Sequence, residues 1–130
     1  MGYYSVVRGS IRFSPAVTWD QVKDSEFVIT KSHQNYVNKD VMLESFGPAS
    51  DDSDQIDTIY PHSEDSAKFY NITEDLQELV NLVGSDKTFD GCLEITGEGY
   101  DPSEPDIWRL TVKNGKVKEI KPKLVWPEED

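Results

Sequence analysis

The residues best suited to chemistry in this sequence are carboxylates, and they fall into two clusters. Closely spaced Asp side chains can supply the oxygen cage that Ca²⁺ needs. The first cluster departs from the calcium-loop pattern D-x-[DN]-x-[DN]-G, because counting from Asp52 places Ile56 fifth and Asp57 sixth. A solvated acidic loop is therefore favoured over a metal site, and its acids are Asp51, Asp52, Asp54, Asp57, Glu64 and Asp65.

The second cluster contains Glu98, Asp101, Glu104 and Asp106. Paired carboxylates at a defined separation in a cleft could hydrolyse a glycosidic bond by acid/base chemistry. Prolines at 102 and 105 interrupt the segment, which favours a shaped loop. Asp106 is also close enough in sequence to pair with Arg109. A structural role for this cluster is favoured, with an enzyme using the carboxylates of the 98–109 loop kept as the alternative.

Other catalytic and cofactor motifs are absent from the sequence. A zinc site needs three or four ligands, typically Cys and His, and the chain offers one cysteine, Cys92, and two distant histidines, His33 and His62. There is no G-x-S-x-G elbow and no phosphate-binding glycine loop. We therefore expect no metal and no cofactor. One cysteine also excludes a disulfide within the chain.

Local patterns predict the elements that must position these residues. Residues 7–13 alternate between apolar and polar, which predicts a strand over 3–13 that Pro15 ends. Thr18 and Gln21 form a capping-box pair for a short helix at 19–24. A further strand is predicted within 38–47, an acidic loop over 48–58, and a brief strand ending at Pro61. The clearest helix spans 71–84, with apolar residues on one face and Gly84 at its end.

The last third of the chain predicts three strands. The first lies at 89–97, with Leu93 and Ile95 on one face. The second and third form a hairpin around Asn114-Gly115, the strongest short signal for a type I′ turn. Strict pairing across that turn would direct Ile120 outward, so we predict a bulge near Lys118-Glu119 that returns Ile120 to the core.

These elements together predict an α+β fold in a single domain, residues 1–130. We expect a mostly antiparallel sheet with one long and one short helix on one face, and a ferredoxin-like split βαβ arrangement is one candidate topology. The length of 130 residues suits one domain with its own core. With no signal-peptide layout and no apolar run long enough for a membrane span, a cytoplasmic location is expected.

The net charge of −12 is unevenly distributed along the chain. Residues 40–106 hold two basic and eighteen acidic residues, net −16, whereas the segments before and after it are each net +2. Such acidity repels nucleic-acid phosphate and anionic membranes and attracts basic protein surfaces. The final hairpin carries basic residues that could touch nucleic acid, but protection of a strand edge from aggregation is the favoured interpretation: Arg109, Lys113, Lys116, Lys118, Lys121 and Lys123.

The two ends of the chain carry a family resemblance. "MGYYSVVRGSIRFSP" with "TWDQVKDSEF", and "GEGYDPSEPDIWRLTVKNGKVKEIKPKLVWP" at the other end, resemble a family of small uncharacterised proteins from actinobacteria and their phages. The resemblance covers roughly the first 27 and last 35 residues. It implies a bacterial or phage-encoded cytoplasmic setting, and it assigns no activity to any residue.

The sequence therefore favours a non-enzymatic acidic protein that binds a basic protein surface, without direct contact to nucleic acid or membrane. The partner would be a nucleic-acid-processing or defence protein whose substrate this chain imitates by charge, as a phage-encoded inhibitor does. Enzymatic activity stays open as the alternative, and the oligomeric state is not predicted. The partner-binding residues are expected to be the acids of both clusters.

Overall fold

A computed structural model describes residues 4–28, 39–43, 52–63, 65–97, 106–123 and 125–127. Strand β1 (Tyr4–Thr18) runs directly into helix α1 (Trp19–Val22). Three short strands and the longer helix follow: β2 (Val41–Leu43), β3 (Gln55–Pro61), β4 (Ala67–Lys68) and α2 (Ile72–Val83). The chain then forms β5 (Thr88–Gly97), β6 (Ile107–Lys113) and β7 (Lys116–Ile120).

The seven described strands form a single sheet in the order β2-β3-β1-β5-β6-β7, with β4 beside the start of β1. Each of these pairings is antiparallel. The predicted antiparallel sheet is therefore present, but the α+β class is wrong, because the described part of the chain is mainly β with two short helices. The ferredoxin-like topology is wrong as well, since that fold arranges four strands in the element order β-α-β-β-α-β, whereas the described strands form a seven-stranded sheet in which β5, β6 and β7 are successive antiparallel neighbours.

Pro15 does not end β1, contrary to the sequence-based expectation. Toward β3, the register shifts between Arg12 and Val17, so the proline lies where the ladder on that side is interrupted. A missing N–H costs nothing at such an irregularity. Toward β5, the pairing is regular from Ser5 opposite Gly97 to Ser14 opposite Thr88. One long strand therefore reaches from the β4 end of the sheet to α1.

Helix α2 covers one face of the sheet, which we call the inner face. Its apolar stripe is buried as predicted, at Leu76, Leu79, Val80 and Val83. It shares one hydrophobic cluster with the inner-face strand residues Val7, Ile11, Phe13, Leu93, Ile95 and Leu110. Burying each such side chain contributes about 1.5–3 kcal/mol. The remaining positions of β1, β5, β6 and β7 alternate onto the opposite, outer face.

The β6–β7 hairpin has the predicted turn but lacks the predicted bulge. Asn114 (φ 52°) and Gly115 (φ 75°) adopt the left-handed conformation that a type I′ turn requires. Pairing continues without interruption to Ile120 opposite Arg109, so Ile120 lies on the outer face, 49% exposed. Glu119 turns toward α2 instead, where Thr73 Oγ1 donates a hydrogen bond to its carboxylate (3.0 Å). Because α2 supplies this polar partner, no bulge is needed.

The edge of the sheet at β7 is closed by a side chain of α2. Val117 N donates to Gln77 Oε1, and Gln77 Nε2 donates to the carbonyl oxygen of Gly115, each at 2.9 Å. In a two-residue hairpin the N–H of Val117 points away from β6. The Gln77 amide therefore pairs with the edge as a neighbouring strand would, and it fixes α2 against β7.

Candidate functional site

The predicted acidic surface is partly assembled where α1 meets the start of β3. Asp20 N donates to the carbonyl oxygen of Asp52 (3.1 Å), and Trp19 N donates to that of Asp54 (2.7 Å). These bonds hold the two chain segments together through their backbones. We call the region formed by Asp20, Asp52 and the neighbouring residues Asp54 and Asp57 the α1–β3 acidic surface.

Lys23 lies between two carboxylates of this surface. Its ammonium nitrogen is 2.9 Å from Asp20 Oδ1 and 3.3 Å from Asp52 Oδ1. The hydrogen bonds to Asp20 and then Asp52 raise the pKa of Lys23. Both acids remain largely solvated, with side chains 60% and 64% exposed. Ion pairs this exposed contribute little to stability, so a competing cation can replace Lys23 at small cost.

Asp57 marks the boundary between this surface and the outer face. Its Oδ2 lies 3.8 Å from Arg12 Nε, and its Oδ1 accepts a hydrogen bond from Thr58 Oγ1 (2.8 Å). Arg12 belongs to the outer face of β1, opposite Asp90 of β5. The boundary pair thus joins an acidic region to a basic one.

The other predicted acids do not join this surface. Asp65 N bonds Ser63 Oγ (3.1 Å) just before β4, which pairs with the first residues of β1. The carbonyl oxygen of Asp106 accepts from Gly97 N (2.8 Å) at that same end of the sheet. Asp65 and Asp106, both predicted to bind the partner, therefore lie at the other end of the sheet from Asp52. Five of the ten predicted acids lie outside the described residues: Asp51, Glu64, Glu98, Asp101 and Glu104.

Arg109 does not pair with Asp106 in the described part of the chain. Its Nε lies 3.0 Å from Glu94 Oε2, its cross-strand neighbour on β5. The carboxylate enzyme proposed for the 98–109 loop consequently gains no arginine partner for Asp106. No group of three or more His, Cys, Asp or Glu with metal-binding geometry occurs among the described residues.

A buried polar cluster at the start of α2 was missed by the sequence analysis. Asp40 is 7% exposed and Asp75 is 9% exposed. Asn71 N donates to Asp40 Oδ2 (2.6 Å), and Asp40 N donates to Asp75 Oδ2 (2.9 Å). Burial raises the pKa of Asp40, and the neighbouring Asp75 carboxylate raises it further. The Asp40 carboxylate, just before β2, therefore binds the backbone at the start of α2, and the Asp75 carboxylate of α2 binds the backbone just before β2. The two bonds join β2 to α2.

Lys39 and His62 complete this cluster. Lys39 Nζ lies 3.0 Å from Glu78 Oε2, 3.3 Å from Glu26 Oε2 and 4.0 Å from Asp75 Oδ1. The hydrogen bond to Glu78 raises the pKa of Lys39. The His62 ring packs edge-on against Phe69 (4.6 Å between centroids). Its backbone N–H donates to the carbonyl oxygen of Asp40 (3.0 Å). These contacts are structural, since they connect α2 to three other segments. His33, the second histidine, lies outside the described residues.

Comparison with known proteins places the chain in a family. The sequence profile of the family matches residues 1–130, the whole chain. The chain belongs to the family of unknown function DUF6205. This confirms the expected membership in a family without an assigned activity. A search of curated proteins found no match, and a search of solved structures also found none. Of the two described helices, neither is long and apolar enough to cross a membrane.

Proposed function

We propose that this protein is a non-enzymatic binding protein whose α1–β3 acidic surface docks onto a basic surface of a partner protein. The observation that supports the proposal is the arrangement of Asp20 and Asp52. Their carboxylates project from backbones joined by hydrogen bonds and stay more than half exposed. A preorganised pair of this kind loses little conformational freedom on binding.

The partner we propose is a nucleic-acid-processing or defence protein, with carboxylates of this chain taking the place of phosphates. Basic surfaces that bind nucleic acid are rich in Arg and Lys, which form strong charge-assisted hydrogen bonds to carboxylates as well as to phosphates. An arginine of the partner could replace Lys23 between Asp20 and Asp52, because the exposed Lys23 pairs are weak. A bacterial or phage-encoded inhibitor is the setting we propose for this activity.

The test uses two variants that remove the same charge from opposite ends of the sheet. D20N/D52N neutralises the α1–β3 acidic surface, whereas D65N/D106N neutralises two acids at the β4 end. Each variant and the parent protein serve as bait in a bacterial lysate, at low and at moderate salt. We expect a stoichiometric basic partner that D20N/D52N loses and D65N/D106N retains. Loss with both variants alike would show a general charge effect and would contradict the proposed site.

A second measurement tests the imitation of nucleic acid. The captured partner is titrated with labelled DNA in the presence of increasing amounts of this protein. Competitive displacement of DNA by the parent protein, but not by D20N/D52N, is the expected result. A partner that binds this protein and DNA simultaneously would refute the charge-mimicry mechanism while leaving the acidic docking surface in place.

A further inference from the structure

The outer face of the sheet is basic, although the chain as a whole has a net charge of −12. The register of the strand pairs places alternate residues of β1, β5, β6 and β7 on this face. Its two carboxylates, Asp90 and Glu94, are outnumbered by six cationic side chains: Arg8, Arg12, Arg109, Lys113, Lys116 and Lys118. The outer face is therefore positively charged, opposite to the α1–β3 acidic surface beside it.

A row of short side chains crosses the strands at the centre of this face between two rows of longer ones, and we call it the outer-face trough. Its floor consists of the small polar side chains of Ser10, Cys92 and Thr111, each half-buried. Ser10 pairs with Cys92, and Thr111 pairs with Lys118, which closes one end of the trough. Long cationic side chains rise from the neighbouring cross-strand rows, because they lie two residues before or after the floor residues along each strand.

One wall of the trough contains Arg8 and Arg109 on either side of Glu94. Arg8 and Arg109 are both cross-strand neighbours of Glu94, and Arg109 forms the ion pair with it. A single carboxylate thus stands between two guanidinium groups. Arg109, with a side chain 60% exposed, keeps donors available for an additional anion.

The opposite wall contains Arg12, Lys113 and Lys116, with the carboxylate Asp90 opposite Arg12. Lys113 and Lys116 are direct cross-strand neighbours, so two like charges stand opposite one another. Such a pair destabilises a hairpin. Within the described part of the chain, neither lysine nor Lys118 takes part in an ion pair. An anion bound at this wall would relieve the repulsion between the two lysines, and this relief favours anion binding.

The shape of the trough favours a polypeptide over nucleic acid. Arg8 and Arg12 are four residues apart on one strand, so their Cα atoms are roughly 13 Å apart, enough for one extended chain. Single-stranded nucleic acid binds sheet faces by stacking bases on aromatic rings. None of the floor or wall positions of the trough on β1, β5, β6 and β7 is aromatic. The exposed tyrosines of this face, Tyr4 at the β4 end and Tyr60 on β3, are single rings and not a row on which successive bases could stack. A duplex is convex and would reach the walls without filling the floor.

We propose that the outer-face trough binds an extended Asp- and Glu-rich segment of another protein. The carboxylates of that segment pair with the arginines and lysines of the two walls, and its backbone reaches the hydroxyl groups of Ser10 and Thr111. The overall negative charge does not prevent this, because charges beyond about 8 Å are largely screened at physiological ionic strength. This surface adjoins the α1–β3 acidic surface at the Arg12–Asp57 pair, so the protein carries two neighbouring docking sites of opposite charge.

The test is a titration of a labelled peptide of alternating Asp and Ser, followed by fluorescence anisotropy. K113Q/K116Q/K118Q removes three outer-face lysines, and K87Q/K121Q/K123Q removes three lysines elsewhere as a matched control. We expect roughly tenfold weaker binding for the first variant and parental binding for the control. D20N/D52N should bind the peptide as the parent does, which separates this result from the test of the proposed function.

A charge-neutral variant tests the trough itself. T111W fills the floor without altering any charge, and circular dichroism and thermal unfolding establish that each variant is folded. Weaker binding of the Asp-Ser peptide by T111W supports the proposal. Single-stranded and duplex DNA of equal charge are titrated in parallel. Tighter binding of either DNA than of the peptide, equal losses in both lysine variants, or the absence of peptide binding to the parent would overturn the proposal.

Discussion

Replacing Gln77 by Ala removes the side chain that closes the sheet edge at β7. The variant loses two hydrogen bonds, one from Val117 N and one to the carbonyl oxygen of Gly115. A hydrogen bond of this kind contributes about 0.5–1.5 kcal/mol. Alanine regains a few tenths of a kcal/mol through its higher helix propensity. Since water reaches the freed groups at the half-buried edge, we expect a net loss of about 1–2 kcal/mol in the free energy of unfolding.

Urea unfolding followed by circular dichroism measures this loss, and hydrogen exchange locates it. The Val117 amide should exchange faster in Q77A, while the Leu110 and Leu93 amides should lose protection only as far as global stability falls. Asn81 provides a matched control, because it accepts a hydrogen bond from Gln77 Nε2 (3.1 Å) but lies on the exposed side of α2. N81A should change the free energy of unfolding by less than about 0.5 kcal/mol.

Equal stabilities of Q77A and N81A would refute this reasoning. So would unchanged protection of the Val117 amide in Q77A, because the argument assigns that protection to the Gln77 carbonyl oxygen. Q77E separates the two bonds. The Glu carboxylate can still accept the hydrogen bond from Val117 N but cannot donate one to the carbonyl oxygen of Gly115. The decrease in the free energy of unfolding of Q77E should therefore be at least half that of Q77A.

Three further predictions follow from the buried acid, the turn glycine and the exposed isoleucine. Because the folded-state pKa of Asp40 is raised, the contribution of Asp40 to stability is largest when it is protonated and declines as pH rises through that pKa. The amide oxygen of D40N can still accept the hydrogen bond from Asn71 N. In urea unfolding, the free energy of unfolding of D40N relative to that of the parent should therefore increase between about pH 4 and pH 7. A relative decrease over this range would contradict the assignment. A Cβ on Gly115 would lie 2.4 Å from the carbonyl oxygen of Ser85, so G115A should lower the free energy of unfolding by more than about 2 kcal/mol, against about 0.5 kcal/mol for the exposed-site control K116A. I120T should cost less than about 0.5 kcal/mol, because Ile120 is on the outer face, and a core-sized loss in thermal unfolding would indicate that the predicted bulge exists after all.

The features that the sequence predicted correctly are those determined by neighbours along the chain. The apolar stripe of α2, its C-terminal glycine and the Asn114-Gly115 turn each depend on a few consecutive residues. Gln21, whose side chain accepts a hydrogen bond from Thr18 N (2.8 Å), is a further example. Local backbone preferences and side-chain periodicity determine such features before any tertiary contact forms.

The features that were missed depend on contacts between distant segments. Pro15 reads as a strand end until the register shift beside β3 is known. The bulge at Lys118-Glu119 looked necessary only because Thr73 of α2 was not known to lie beside Glu119. Asp40 and Asp75 are 35 residues apart, and no spacing rule connects them. The acids were grouped by sequence, whereas β1 separates Asp65 from Asp52 by most of its length.

The long strand β1 also determines when the protein can fold during synthesis. It pairs with β3 and β4 on one side and with β5 on the other. β1 is synthesised well before Thr88–Gly97, so its longest ladder cannot close until that later segment has emerged from the ribosome. Contacts of such sequence separation slow folding. Until these contacts form, the apolar side of β1 is exposed in the nascent chain. The acidic segment 40–106, with its net charge of −16, helps to keep that chain in solution.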